Sequence, residues 1–549
     1  MRLSKILNSH TLLVVWIVMI VMSSCKKDDI NRGLESPRIF KPSRISIERT
    51  ETTAKITWEA PILSEGQDLT YTTEFSQDST FATSEFSLDT DTMGVTVTDA
   101  MLSVRKKYYV RVKANAFGDQ PESKWMVSSG FSINGEQLFL PVRDSEVKET
   151  GVTLRWKVNQ DLTDITLIPT VGRLVKYPLS PAEVAAGVKT ITDIIADTTY
   201  IAELFSGTRS RGFLTFRTPP VSVYNVVLNP GDDLAAAINA AENNAIIGLN
   251  PGVYNTANSG FTLLQKTITL KSTSSDPKDT KVNIKEFTLK GTGAGINLSG
   301  IEFDGKPANA LYFFNLGGVS SDAELATYTQ ITVDNCIIHD IATSFMRTDR
   351  GAKGGDYKMD QIVIKNSLIY SVSDPNANYI FLHLNELEFK SLHVSKSTIH
   401  NFGRALITCS TVLTSMPPSI TFDYCTLNSF GANNMNVLLS AGANPVKFNL
   451  TNSIIANVPR SATSTVNDLA ISATSAESFT VFSNNNIFNF NNAAGAPLKF
   501  PTTNITQIGN QSINLGWTES TTDFTLPVGS VLHTVSNVGT AIGDPRWTY

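Results

Sequence analysis

Four cysteines in 549 residues, a low share of charge and no basic excess set the first limits on this chain. Cys25, Cys336, Cys409 and Cys425 show no CxxC or CxH spacing, and without Cys25 their number is odd, so neither a disulfide framework nor a spaced zinc site is expected. The last three sit in apolar alternating stretches, where a free cysteine behaves as a small hydrophobe. Charged residues make up 17% of the chain, with Lys plus Arg 45 against Asp plus Glu 50. No global positive field is present to hold phosphates, and a nucleic-acid partner is not expected. The apolar run from Thr11 to Met22 is 12 residues long, short of the roughly 20 that a bilayer-spanning helix needs. With Arg2 and Lys5 ahead of it and Ser23, Ser24 and Cys25 behind, it reads as a cleaved signal over 1–24.

Met22-Ser23-Ser24-Cys25 resembles a bacterial lipobox, and Lys26-Lys27-Asp28-Asp29 resembles the surface-export signal of Bacteroidetes lipoproteins. The resemblance implies lipidation at Cys25 and display on the outer face of the outer membrane; cutting at an ordinary site beside a chance cysteine is the alternative. Ile30 to Pro42 has no periodicity and two prolines, so 25–42 reads as a tether.

At about 150 residues per domain the chain allows roughly three or four domains. From Ser43 short alternating strands begin, Ala54 to Trp58, Leu69 to Phe75, Gly94 to Val97 and Lys107 to Ala114, separated by Gly, Pro, Asp and Ser clusters. That pattern indicates an antiparallel sandwich. An early Trp58 strand and a late Tyr108-Tyr109-Val110-Arg111-Val112 strand resemble a fibronectin type III module over 43–133. A second copy over 134–220 follows the same order, with Val152 to Val158 around Trp156, Thr199 to Phe205 around Tyr200, and Phe213 to Thr218 before Pro219-Pro220. The aromatics are expected in the cores.

Residues 1–224 hold 5 asparagines and residues 225–549 hold 37, so the second half is built on a different rule. Asp232-Asp233 leads into Leu234, Ala237, Ile238 and Ala241 at helical spacing, and Asn250-Pro251-Gly252-Val253-Tyr254 follows as a strand and turn. A short helix before "PGVY" resembles the first coil of a pectate-lyase-like right-handed parallel β-helix, where the helix caps the open core. A repeat supports this reading: Val333-Asp334-Asn335-Cys336-Ile337-Ile338-His339 recurs with third positions at 335, 366, 396, 424, 452 and 484, in steps of 31, 30, 28, 28 and 32. Each repeat is one coil of a solenoid. Asn335, Asn366, Asn452 and Asn484 mark a turn after the first strand. The expected fold class is therefore all-β, two sandwiches and then a capped β-helix over 221–549.

The whole arrangement, with Ile542-Gly543-Asp544-Pro545-Arg546-Trp547 near its end, resembles a group of Bacteroidetes lipoproteins that accompany outer-membrane glycan uptake proteins. The resemblance implies polysaccharide as partner, pectin-like uronate polymers above all, and membrane attachment through lipid. It supplies no catalytic residues.

Candidate site residues come from strand alternation. Phe345, Arg347 and Asp349 fall on one face and Met346 on the other. One coil on, Tyr379, Phe381, His383 and Asn385 fall outside; in the next, Arg404, Leu406, Thr408 and Ser410 do. Arginine forks pair with carboxylates and aromatic faces cover sugar rings, so this set suits an acidic sugar chain. The basic, glycine-rich loop Arg350 to Lys358 lies beside it. The plainer alternative for Arg347 and Arg404 is an ion pair to Asp349 or a neighbouring coil. The Asn-Thr-Asp, Gly-His-Gly and Arg-Ile-Lys strings of galacturonase-type β-helices are missing, which disfavours that hydrolysis. A β-eliminating lyase would use His383 or Tyr379 as base and Arg347 or Arg404 to neutralise the uronate carboxylate. No cofactor is expected; calcium stays open as an unsupported alternative, since Asp349, Asp356 and Asp360 are too scattered for a strong calcium site. Three readings stand: binding of acidic polysaccharide, uronate lyase, and a structural or adhesive solenoid.

Overall fold

The computed structural model describes residues 36–255, 260–349, 356–373, 378–413, 417–461 and 463–549. The signal over 1–24, Cys25, the tether up to residue 35 and the loop residues 350–355 lie outside the described residues.

The first sandwich pairs Ser43–Arg49, Thr53–Glu59 and Gly94–Thr98 in one sheet, facing a second ordered Phe86–Thr90, Tyr71–Ser76, Tyr109–Ala114, Met126–Val127. Trp58 packs edge-on against Tyr71 at 5.3 Å in its centre. The second sandwich repeats the plan, with Val188–Thr192, Gly151–Arg155 and Val147–Lys148 against Val175–Pro178, Asp164–Pro169, Thr199–Ser206 and Arg209–Arg217. A shared detail marks them as two copies of a fibronectin type III-like module. The Tyr108 hydroxyl accepts from Ser103 N at 3.1 Å, and the Tyr200 hydroxyl accepts from Ile195 N at 2.7 Å, the same five-residue reach backward in both. Trp58, Tyr108, Trp156 and Tyr200 are all buried. One departure concerns the tether: Ile39 is buried in the first core, and its N–H donates to Pro121 O at 3.1 Å, so ordered packing begins before Ser43.

A short helix, Leu234–Ala240, opens the third unit. Asp233 accepts from Ala236 N at its start, and Lys266 Nζ donates to the carbonyls of Ile238, Asn239 and Ala241 at 2.8, 2.8 and 2.7 Å at its end. Both ends are thus satisfied. Leu234 and Ile238 are buried against the first coils, so the helix closes the core.

The coils that follow stack into three parallel sheets of 11, 9 and 8 strands. Each sheet takes one strand per coil; in the second, Phe303, Ile338, Ile369, Ile399, Leu427 and Ile455 align in register and fill the core. The repeating third position is a backbone requirement. Asn335, Asn366, Lys396, Tyr424, Asn452 and Asn484 all have φ between 49° and 57°, a left-handed conformation. Asparagine adopts it more readily than most residues, which explains why it recurs there. The next position forms a ladder between coils: Ser367 Oγ accepts from Cys336 N at 3.1 Å, Ser397 Oγ from Ser367 N at 3.1 Å, and Ser453 Oγ from Cys425 N at 2.9 Å. Cys336 and Cys425 occupy this ladder, and Cys409 is likewise buried and free.

The segment 512–549 is not another coil. It folds back over the outer face of the second sheet, where Trp517, Phe524, Leu526, Leu532 and Ile542 form a separate apolar cluster with Ile454, Ala456 and Phe488. Trp547 Nε1 and Asp544 Oδ2 both meet the Thr398 hydroxyl at 2.7 Å, and Arg546 Nη2 donates to Asn366 O at 2.8 Å. The same segment reaches the second sandwich, where Arg143 donates to Tyr549 O at 3.2 Å. Lys396–Asp144 at 2.7 Å and Lys271–Glu149 at 2.8 Å tie that sandwich to the solenoid directly.

Candidate functional site

The third sheet leaves its outer face uncovered by the 512–549 segment. Register sets Asn315, Arg347, His383, Thr408 and Ser440 in one column of this face. At its centre Arg347 donates from Nε to Asp349 Oδ1 at 2.6 Å and from Nη1 to the Tyr312 hydroxyl at 2.7 Å, with its guanidinium 5.5 Å from the Tyr312 ring centre. The ion pair with Asp349, the plainer of the two expectations for Arg347, is therefore present. It also aims the guanidinium: two of its faces are held, and the group stays a third exposed. The other oxygen of Asp349 lies 3.5 Å from His383 Nε2. Asn385 contacts the same nitrogen at 3.3 Å and accepts from Ser410 N at 2.8 Å, linking the next coil.

Burial pushes the His383 imidazole below its ordinary pKa; Arg347 and Arg404 push the same way and Asp349 opposes them. Arg404 stands at the start of its strand, its N–H on Tyr379 O at 2.8 Å. Its Nε is buried with no hydrogen-bond partner among the described residues. A glycine precedes it for a reason: a Cβ at Gly403 would collide with the Tyr379 carbonyl. Tyr379 itself is nearly half exposed. Arg347, Asp349, His383 and Arg404 are brought into one electrostatic neighbourhood, and Tyr379 borders Arg404.

Two expected members are elsewhere. Phe345 and Phe381, assigned outward by alternation, are fully buried and stack on each other at 5.0 Å, with Phe313 at 5.3 Å from Phe345. The reason is the corner between the second and third sheets. There two successive side chains turn inward in each coil, Phe345 with Met346, Phe381 with Leu382, Leu406 with Ile407, so strict period-2 alternation fails. Leu406, also expected outside, is buried for the same reason. The rings left at the ridge are Tyr312 and Tyr379. Tyr312 was not legible because its coil precedes the first recognisable repeat at Val333.

A second polar cluster sits on the outer face of the second sheet. Asp304, His339 and Asp340 place ligand atoms within 4.8 Å of one another. Lys281 Nζ is already 3.0 Å from Asp304 and 2.8 Å from the neighbouring Glu302, so a side chain supplies the positive charge there. His339 stacks on Tyr370 at 4.9 Å and Tyr370 on His400 at 5.2 Å, a ladder between coils.

No protein-family model matches the chain, and no curated protein does. Among solved structures, a two-domain fibronectin type III segment of chicken tenascin is similar over 32% of this chain and 97% of its own, at 14% identity and a TM-score of 0.18. The FN1–FN3 domains of chicken CNTN1 are similar over 34% of this chain and 68% of their own, at 14% identity and a TM-score of 0.15. The assignment of the sandwiches rests on their strand order and the paired tyrosine contacts.

Proposed function

We propose that this protein is a lipid-anchored cell-surface protein that binds acidic polysaccharide along the outer ridge of the third sheet. One observation carries the reading: two guanidinium groups, Arg347 and Arg404, act on one imidazole at a face left open, and only Arg347 has a carboxylate partner among the described residues. The ridge therefore keeps an unmatched positive charge, which a uronate carboxylate fits through charge-assisted hydrogen bonds. Tyr379 and Tyr312 offer ring faces to the sugars. The lipobox-like run ending at Cys25 and the following Lys26 to Asp29 support display at the outer membrane, where glycan uptake proteins would be the natural partners.

A second reading is favoured by one feature. An imidazole whose pKa burial and two arginines push down could take the proton beside a uronate carboxylate while a guanidinium neutralises the enolate that forms. The test is retention on gels containing pectin, alginate or glycosaminoglycan, run beside an absorbance assay for unsaturated uronate. Retention without absorbance supports binding. Product formation that His383→Ala abolishes replaces it with the lyase. Neither retention nor product on any polymer returns the solenoid to an adhesive role. Cys25→Ala should release the protein from the membrane fraction, and continued membrane association would sink the anchor.

A further inference from the structure

Where the second sandwich, the turns of the solenoid and the 512–549 segment meet, they line a half-open cleft of about 690 Å³. That lies inside the range of about 300 to 1,000 Å³ typical of small-ligand sites. Its apolar wall includes Ile337, Leu368, Tyr424 and Trp547, and its charges are unequally engaged. The carboxylates already have partners: Asp144 holds Lys396 at 2.7 Å, Glu146 holds Arg155, Asp276 accepts from Lys278 N at 3.0 Å, and buried Asp544 accepts from Thr398 Oγ1 at 2.7 Å and from Arg546 N at 2.8 Å.

The cations are less fully paired. Arg546 Nη1 is buried without a hydrogen-bond partner among the described residues, its nearest carboxylate oxygen being that of Asp544 at 3.8 Å. Arg143 has Tyr549 O at 3.2 Å and only a distant Glu146 at 3.9 Å. Burial pushes its pKa down to about 10, and the neighbouring positive charges of Arg155 and Arg546 act in the same direction. Lys278 stands at the rim with no side-chain partner among the described residues. An unsatisfied buried donor is costly, so the arrangement is one that an added anion would complete.

We propose that this junction cavity is a second binding site, for a small ring-bearing carboxylate such as a uronate monosaccharide, with Arg546 and Arg143 on the carboxylate and Trp547 and Tyr424 along the ring. Planar forks suit a carboxylate, and aromatic rings suit the apolar face of a sugar. The site is separate from the ridge and does not depend on what the ridge binds. Because its walls come from three parts of the chain, an occupant ties the sandwich more firmly to the solenoid and raises the stability of the docked state by mass action.

Titration calorimetry of the full chain with D-galacturonate, D-galactose and inorganic phosphate tests this. Saturable binding of galacturonate is expected, weakened at least tenfold in Arg546→Gln and threefold or more in Lys278→Ala. The Lys278 side chain holds no other described residue, and its backbone bond to Asp276 survives in the alanine variant, so that variant reports on the site even where Arg546→Gln loosens the chain around it. Absence of saturation, equal affinity for galactose, tighter binding of phosphate, or full affinity in Lys278→Ala would each overturn the proposal. Loss of galacturonate binding in Arg347→Ala would assign it to the ridge and overturn it too.

Discussion

The outer faces of the second and third sheets are made by the same coils, yet among the described residues one is roofed and the other is open. Under the roof, Thr398, Thr426 and Asn428 find partners in the 512–549 segment, and His400 lies against Phe524 at 5.3 Å. On the open face, Arg347, His383 and Tyr379 remain reachable, and Arg404 keeps a donor unanswered among the described residues. A solenoid repeats its surface with every coil, so sequence position alone does not single out a working face. What distinguishes the two is whether the chain's own side chains have already answered the polar groups.

The strongest way to break the contrast is to remove the roof. Phe524 is fully buried among Trp517 at 4.9 Å, His400 at 5.3 Å and Trp547 at 5.6 Å. Phe524→Ala should cost about 3 to 5 kcal/mol in denaturant unfolding of the solenoid. A loss under about 1 kcal/mol would mean the segment is only loosely laid on the sheet.

Next comes acid. Burial holds His400 down at about 4, from an ordinary 6.5. The unfolded chain therefore binds the extra proton first as pH falls through 6.5, and stability declines from there until about pH 4, by on the order of 3 kcal/mol. His400→Gln should flatten that limb in urea titrations between pH 7 and 4. An unchanged limb in His400→Gln would show that the imidazole is not sealed from water.

On the open face the effects concern ligand rather than fold. Arg347→Ala should weaken binding of acidic oligosaccharide by about 1.5 to 3 kcal/mol and leave neutral sugars indifferent. Smallest of all, Tyr379→Ala should cost about 1 kcal/mol on methyl-esterified and free-acid polymers alike, because ring contact does not depend on charge. A charge-dependent loss in Tyr379→Ala would show that the ring acts through Arg404 instead.

Much of this architecture could be read from the residues. The 28- to 32-residue steps gave the coils, the helical spacing of Leu234, Ile238 and Ala241 gave the cap, and the Trp and Tyr strands gave the sandwiches. Side-chain direction was legible along straight strands and failed at corners, where Phe345 and Phe381 turn inward with their neighbours. The roof was not legible. Trp517, Phe524, Leu532 and Ile542 follow neither a 2- nor a 3.6-residue period, because they fit an irregular surface already made by other coils. The junction cavity drew on segments near residues 143, 278, 366 and 546, which no local motif links.

The roof has a mechanical consequence. An open stack can fray by peeling its terminal coil, then the next, each step breaking only one set of strand contacts. Here Asp544, Arg546 and Trp547 grip Asn366, Thr398 and Thr426, in coils well inside the stack. Peeling from the far end must lift that strap before a second coil can leave, and Arg143 on Tyr549 extends the strap to the neighbouring sandwich. A pull on anything bound along the ridge is then met in shear across many coils at once, and unzipping from the last coil gives way to a single cooperative rupture.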